Sequence, residues 1–401
     1  MRYADITTRL SGLGGAKWSI HARARDLKAA GRDVIELTIG EPDVATPEQL
    51  MQVAIDAMQA GRTGYSDGRG EPGLVAALAA RYSARRGRPI GTDQIMCFPG
   101  TQTTLYAVLT ALVQAGDEVL IGDPMYATYE GVIASTGATM VPVPLRPEQG
   151  FRMQAADVAA RITPNSRVIF LNSPHNPTGA VLARAQIAAI GRLAIAHDLW
   201  ILCDEVYEDL VFDGVAFTSP LDDPALADRV IVASSISKSH AAPGFRSGWC
   251  VGPAAFCARL LPLSETMLFG NQPFIADMTA AAVSAPSPVA AGMCARFKTR
   301  AALIAARLDG VAGLRVHQPE AGMFALIDVR ATGMTGAEFA QDLLEGAGVA
   351  VMPGGSFGAG LNGWLRVALT QPDARTAEAC ARIAAHVAAR PVVAGREGVQ
   401  A

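Results

Sequence analysis

One stretch, Ser235-Ile236-Ser237-Lys238 running on to Arg246, places an amine between hydroxyl groups and a guanidinium. That set suits a phosphate-bearing aldehyde: the amine condenses with the carbonyl as a Schiff base and the guanidinium forks onto the phosphate. The same residues also read as a polar loop with a solvated lysine, and the stretch alone leaves both readings open. Four further positions carry potential chemistry. Asp204 closes the apolar run Leu199-Trp200-Ile201-Leu202-Cys203 and is followed by Glu205-Val206-Tyr207. An ionised carboxylate at the end of a buried strand is costly unless a partner such as a protonated ring nitrogen meets it. Arg366 interrupts the apolar run Trp364-Leu365-Arg366-Val367-Ala368. An inward arginine there requires an anion, either a substrate carboxylate held bidentately or a structural salt bridge. Asn176, in Asn172-Ser173-Pro174-His175-Asn176-Pro177-Thr178-Gly179, follows the strand-like Val168–Leu171 and can offer its amide to a phenolate. Gly100-Thr101-Gln102 follows another apolar run, and backbone N–H groups opening a helix there can seat a phosphate, although strand–glycine–helix turns are common without one.

These residues lie far apart in sequence and need a frame that gathers them. Short apolar runs at 95–98, 118–122, 139–143, 167–171, 199–204 and 230–234 alternate with helical patterns near 102–114, 126–136, 183–197 and 254–262. That alternation, with near-continuously apolar strands, predicts a parallel sheet covered on both faces. Lys238, Asp204, Asn176 and Thr101 then all follow strand C-termini, where ligands of open α/β sheets bind. Ahead of this unit, residues 1–33 read as an arm leading into a helix, 34–40 as a strand, Pro47 as the first position of a helix, 64–70 as a loop and 74–85 as a helix. Beyond the break at Ala285-Pro286-Ser287-Pro288, a long helix to about 309 and strands at 314–317, 323–329, 349–352 and 364–369 predict a smaller α+β unit. The Ala-rich 276–292 stretch reads as helix-forming, and the chain after Pro391 as a frayed tail.

Composition narrows the partners. Half of the 401 residues are hydrophobic and the net charge is −3, which predicts a globular chain with no nucleic-acid or anionic-membrane partner. No run reaches membrane-spanning length and the N-terminus lacks an apolar signal core. The six cysteines form no C-x-x-C pair, so reduced core thiols of a cytoplasmic protein are expected and no metal site.

Taken together, S-x-S-K followed by G-x-R-x-G, the two-asparagine loop, D-E-x-Y, and P-G-x-x-F-G preceding the strand arginine resemble, in order, the motifs of the class I/II aminotransferases. These are fold type I enzymes of pyridoxal 5′-phosphate (PLP). The resemblance spans roughly residues 20–385. It implies an α/β fold whose large domain, with a mostly parallel seven-stranded sheet, covers 46–285; residues 1–45 and 286–401 form the smaller domain with its arm. It implies that Lys238 holds PLP as a Schiff base and then acts as general acid and base, and that Asp204 keeps the pyridine nitrogen protonated. By the same resemblance Tyr207 and Asn176 meet the ring's phenolate oxygen and Tyr126 stacks on the ring. Thr101, Gln102, Ser235, Ser237 and Arg246 take the phosphate, helped by Tyr65 from the other subunit of a homodimer. Arg366 and Gly40 take the substrate carboxylate, and Asn176 is implied as a substrate-binding residue beside them. His175 is expected as a variable loop residue and Glu205 as a solvent or interface residue. The chain departs from the usual form at Pro243 and Phe245, which touches substrate identity.

The implied reaction is ping-pong transamination of an amino acid with a 2-oxo acid. A PLP-dependent C–S β-lyase would share every motif quoted. A PLP-sensing regulator would need a DNA-binding module ahead of the core, and a non-catalytic scaffold would not need Lys238, Asp204 and Arg366 together. Aspartate, aromatic and branched donors stay open. The neutral Met267-Leu268-Phe269-Gly270-Asn271 segment and Asp67 beside Tyr65 favour arginine, or another long basic or neutral donor, over the acidic pair, with pyruvate as acceptor. Arg69 is the complication, since it could neutralise Asp67.

Overall fold

The computed structural model describes residues 1–13 and 15–389. The tail expected after Pro391 lies outside the described residues. Twelve strands run among them: β1 Ile35–Leu37, β2 Ile95–Phe98, β3 Glu118–Asp123, β4 Thr139–Pro144, β5 Ser166–Asn172, β6 Trp200–Asp204, β7 Val230–Ser235, β8 Gly248–Val251, β9 Arg315–His317, β10 Phe324–Asp328, β11 Val349–Pro353 and β12 Trp364–Ala368.

Seven of them form one sheet in the order β2-β8-β7-β6-β5-β3-β4. The pairs from β4 through β7 are parallel, as the alternation with helices requires. The exception is β8, antiparallel to both β7 and β2. It returns directly from the lysine segment, with too little chain for a crossover, so Gly248 pairs opposite Ser235. This strand is not among those the sequence predicts. It is only four residues long, and both its faces are buried: Trp249 and Val251 pack on one core, Cys250 on the other.

The second sheet, β1-β11-β12-β10-β9, is antiparallel except for the β1–β11 pair. Its own core joins the helices Ala290–Leu308 and Gly336–Ala347 through Phe297, Ile304, Phe339 and Leu343. Three expected helix bounds shift. Pro47 is the cap before the helix Glu48–Gln59, not its first residue. The helix expected near 126 begins at Tyr129, because Tyr126 is spent on the turn. The 276–292 stretch divides into Pro273–Val283 and Ala290–Leu308, since Pro286 and Pro288 lack the N–H that a continuous helix needs. Among the described residues no helix is long and apolar enough to cross a membrane. No cysteine is in a disulfide; Cys294 is half-buried and the other five are buried.

Candidate active site

The C-terminal ends of β5, β6 and β7 open into a cavity of about 330 Å3. Its wall brings together Gly40, Thr101, Gln102, Tyr126, Asn176, Asp204, Tyr207, Ser237, Lys238, Arg246 and Arg366. Lys238 sits on a one-turn helix, Ile236–Ser239, entered straight from β7. Its Nζ donates to the Gly40 carbonyl at 2.8 Å. Burial, followed by the guanidinium of Arg366, pushes the ammonium down to about 8, against the pull of Glu41 and Asp204. An amine so placed is a ready nucleophile near neutral pH. Ser235 is not on the cavity wall. Its hydroxyl caps the short helix, accepting from the Ser237 N–H at 3.3 Å, so only Ser237 of the expected hydroxyl pair faces the cavity.

Asp204 ends β6 buried. Its Oδ1 accepts from the Val206 N–H at 3.0 Å, and its Oδ2 accepts from the phenol of Tyr129 at 2.7 Å. Burial raises its carboxyl to about 6 despite the Tyr129 and Val206 hydrogen bonds and the charge of Lys238. The preceding strand is tied to it: Asn172 Nδ2 donates to the Asp204 carbonyl at 2.9 Å, while Asn172 Oδ1 accepts the Asn176 N–H at 2.9 Å. This brace aims Asn176 into the cavity, where its amide meets the Tyr207 phenol. Burial holds Tyr207 well above the usual phenol range, so it stays a neutral donor.

Across the cavity, β12 presents Arg366, 1 % exposed. Its Nη2 donates to the Thr38 carbonyl at 2.6 Å and its Nη1 to Asn176 Oδ1 at 3.2 Å. The guanidinium lies 3.9 Å from the Phe324 ring centroid and 4.3 Å from that of Phe357. No carboxylate among the described residues pairs with it, its Nε is buried without a hydrogen-bond partner, and burial pushes it down to about 10. A structural salt bridge is therefore not what holds Arg366 inside. A buried cation lacking a counter-ion is costly, and a carboxylate entering the cavity would relieve it.

The third corner is an anion seat. Gly100, at φ 86°, precedes the helix Thr101–Leu112 and no side chain caps that end. Arg246 lies over this glycine, so a Cβ there would come within 2.3 Å of its Nη2. Thr101 Oγ1 is buried without a partner. Open N–H groups, a guanidinium and an unpaired hydroxyl make a cradle with room and donors for a phosphoester. Gln102 is at its rim, with its Oε1 accepting from the Thr128 hydroxyl at 3.0 Å.

Three residues stand elsewhere. Tyr65 is 94 % exposed, next to the Phe269 ring, and is not on the wall of this chain's own cavity. Glu205 is not a solvent or interface residue. It is fully buried, 3.3 Å from Arg86, because alternation along the strand end turns it to the face opposite Asp204. His175 is buried with its Nδ1 2.8 Å from Thr178 Oγ1, and burial pushes it down to about 4. Near Tyr65, the Arg69 guanidinium does not meet Asp67. It donates to the carbonyls of Asp93 and Ile95, and among the described residues the exposed Asp67 carboxylate meets only the Arg69 backbone N–H.

Sequence reasoning missed Tyr129, Trp18 and Phe324, all on the cavity wall. The pair Tyr126 and Tyr129 was the one available signal, since residues three apart share a helix face.

Comparison with known proteins gives a consistent result. The family model described as aminotransferase class I and II matches residues 32–383. Arginine–pyruvate transaminase of Pseudomonas aeruginosa is 45% identical over 96% of this chain and 98% of its own. Aspartate/prephenate aminotransferase of Cereibacter sphaeroides is 35% identical over 91% of this chain and 94% of its own. Aspartate aminotransferase from Thermus thermophilus, solved with maleate, superposes with a TM-score of 0.89 at 28% identity, covering 96% of this chain and 100% of that one.

Proposed function

The chain belongs to the class I and II aminotransferase family, and from that premise we propose that Lys238 carries PLP and that the amino donor is L-arginine, with pyruvate as acceptor. The observation that carries the reading is the pairing, in one cavity, of a lysine depressed toward neutrality with a buried arginine that lacks an anion. Thr101, Ser237, Arg246 and the N-terminus at Gly100 would hold the phosphate, and Asn176 with Tyr207 the ring's phenolate. Tyr126 would cover the ring and Asp204 would meet its nitrogen. Once bound, PLP supplies an electron sink for the pair released at the donor's Cα. Arg366 forks onto the donor's α-carboxylate and fixes its orientation. Lys238 Nζ takes the Cα proton and later redelivers it, acting as base and then acid. The residues about 46–285 serve as the cofactor domain and both chain ends as the smaller one. A homodimer completes the reading: Tyr65, with Phe269 and Met267, leaves an exposed apolar face, and Tyr65 of the partner subunit would reach the phosphate. Unpaired cysteines accord with a cytoplasmic setting.

The pH dependence of loading follows from the lysine. An amine that loses its proton near 8 is about one-fifth neutral at pH 7.4, against roughly one in a thousand at its ordinary value. The rate at which the unloaded chain captures PLP should rise with pH and level off above about 8, read from visible absorbance. A rate still climbing tenfold per unit beyond pH 9 would contradict this placement of Lys238.

Donor choice has two supports. Among the described residues of this chain the cations on the cavity wall are Lys238, Arg246 and Arg366, all with other duties, so none of these is left for a distal carboxylate. Asp67 has no cationic partner among the described residues, and across the dimer it would fork with a guanidinium. That contact would be worth roughly 1.5–3 kcal/mol, about ten- to a hundredfold in selectivity. Comparing kcat/KM for arginine, lysine, leucine, aspartate and glutamate with pyruvate tests it. Arginine is expected to lead, and Asp67→Asn to lower the arginine value while sparing leucine. A preference for the acidic pair overturns the donor assignment.

A further inference from the structure

Asp204 is assigned its duty by position, yet burial works against it. A carboxylate this enclosed tends to take up a proton, and a neutral carboxyl cannot hold a ring nitrogen protonated. Something in the chain must favour the anion. The titratable groups around it are Lys238, Tyr126, Tyr129, Tyr207 and Cys203. Of these only Tyr129 touches the carboxylate, donating its phenolic O–H to Oδ2 at 2.7 Å; among the described residues the other direct donor is the Val206 backbone on Oδ1. Glu205, next in the chain, faces Arg86 on the other side.

Tyr129 is built for one orientation. It is the first residue of the helix Tyr129–Thr136, and its N–H bonds the Tyr126 carbonyl at 3.0 Å. Its ring is 4.6 Å from that of Phe170 and meets Tyr126 edge-on at 5.4 Å. It is 2% exposed, and burial with the neighbouring carboxylate holds the phenol far above its ordinary range, so it donates and never competes as an anion.

We propose that Tyr129 is a positioning residue of the reaction: its O–H holds the Asp204 carboxylate ionised and aimed, so that Asp204 keeps the cofactor's ring nitrogen protonated. The first half concerns the chain alone, and the second rests on the PLP reading above. The same stack links the ring-covering Tyr126 to Asp204, so one aromatic pair would set both the face and the nitrogen of the cofactor.

The test uses Tyr129→Phe, which keeps the packed ring and removes only the O–H. In the unloaded full-length chain carrying carboxyl-13C aspartate, the Asp204 resonance is identified by its loss in Asp204→Asn. Its wild-type titration midpoint should lie near 6. In Tyr129→Phe it should move up by about one to two pH units, the size of a hydrogen bond to a charged group. A monofluorinated tyrosine at 129, a stronger donor, should move it down, which decides the matter even if the phenylalanine variant folds poorly. In the loaded enzyme, PLP labelled with 15N in the ring should be protonated in wild type from pH 6 to 9 and lose that proton within the same range in Tyr129→Phe. Unmoved Asp204 midpoints in both variants overturn the tie between Tyr129 and Asp204. A moved midpoint with an unchanged 15N signal overturns its bearing on the cofactor. A wild-type chain that takes up no PLP instead sinks the cofactor reading, while the aspartate titration still judges Tyr129.

Discussion

Lys238→Ala should abolish turnover while leaving the protein folded. Proton transfer by a placed group typically contributes ~10²–10⁴-fold, and the covalent hold on the cofactor is lost with it, so the total loss should exceed that range. The fold should tolerate the change. Lys238 Nζ makes one hydrogen bond, to the Gly40 carbonyl, and its charge is held in place against burial. The anion seat at Gly100, Thr101 and Arg246 does not depend on the lysine, so the variant should still take up PLP, without the covalent absorbance band. Alanine formed from pyruvate reads the activity, and thermal unfolding of the unloaded chain reads the fold. Turnover near that of wild type would mean that another group performs the chemistry.

Asp204→Asn should lower kcat on the order of 10²-fold or more, the scale seen when one preorganised electrostatic partner is removed from a site. Its effect on stability should have the opposite sign. Asp204 has a folded value of about 6 against an ordinary 3.8, so between those values the folded unloaded chain binds more protons than the unfolded one. Stability from this group therefore falls as pH rises from about 4 to 6, and above 6 the buried anion costs roughly 3 kcal/mol. The amide carries no such cost and keeps an oxygen for Tyr129 or Val206. The unloaded Asp204→Asn chain should thus unfold at a higher temperature than wild type at pH 7.5, with the gap narrowing toward pH 4. A less active and more stable variant marks a residue kept for function against stability. Normal kcat would leave the carboxylate a structural role only.

Much of this site was legible in sequence because its signals are local. Lys238, Asp204, Asn176 and Arg366 each follow or interrupt an apolar strand, where a polar side chain needs a reason; the seven-stranded sheet gathers the first three at one cavity, and β12 of the second sheet presents Arg366 across it. What stayed hidden depends on partners distant in the chain. Glu205 looked exposed because Arg86, its partner, belongs to a helix far upstream. The cap that Ser235 gives the short lysine helix was likewise invisible, because the residue pattern does not reveal a capping geometry. Tyr129 passed for an ordinary helix residue, since only the fold brings β6 beside its phenol. The release of Asp67 from Arg69 likewise depends on two carbonyls at the entry to β2.

Mapping the covalent attachment tests the central claim most directly. The protein, incubated with PLP, reduced with borohydride and digested, should carry a single phosphopyridoxyl group on the peptide containing Lys238. Prior addition of L-arginine, which would displace the lysine, should prevent that labelling, and pyruvate should restore it. A label on a different lysine, or labelling of Lys238 that arginine, leucine and glutamate all leave untouched, would contradict the account.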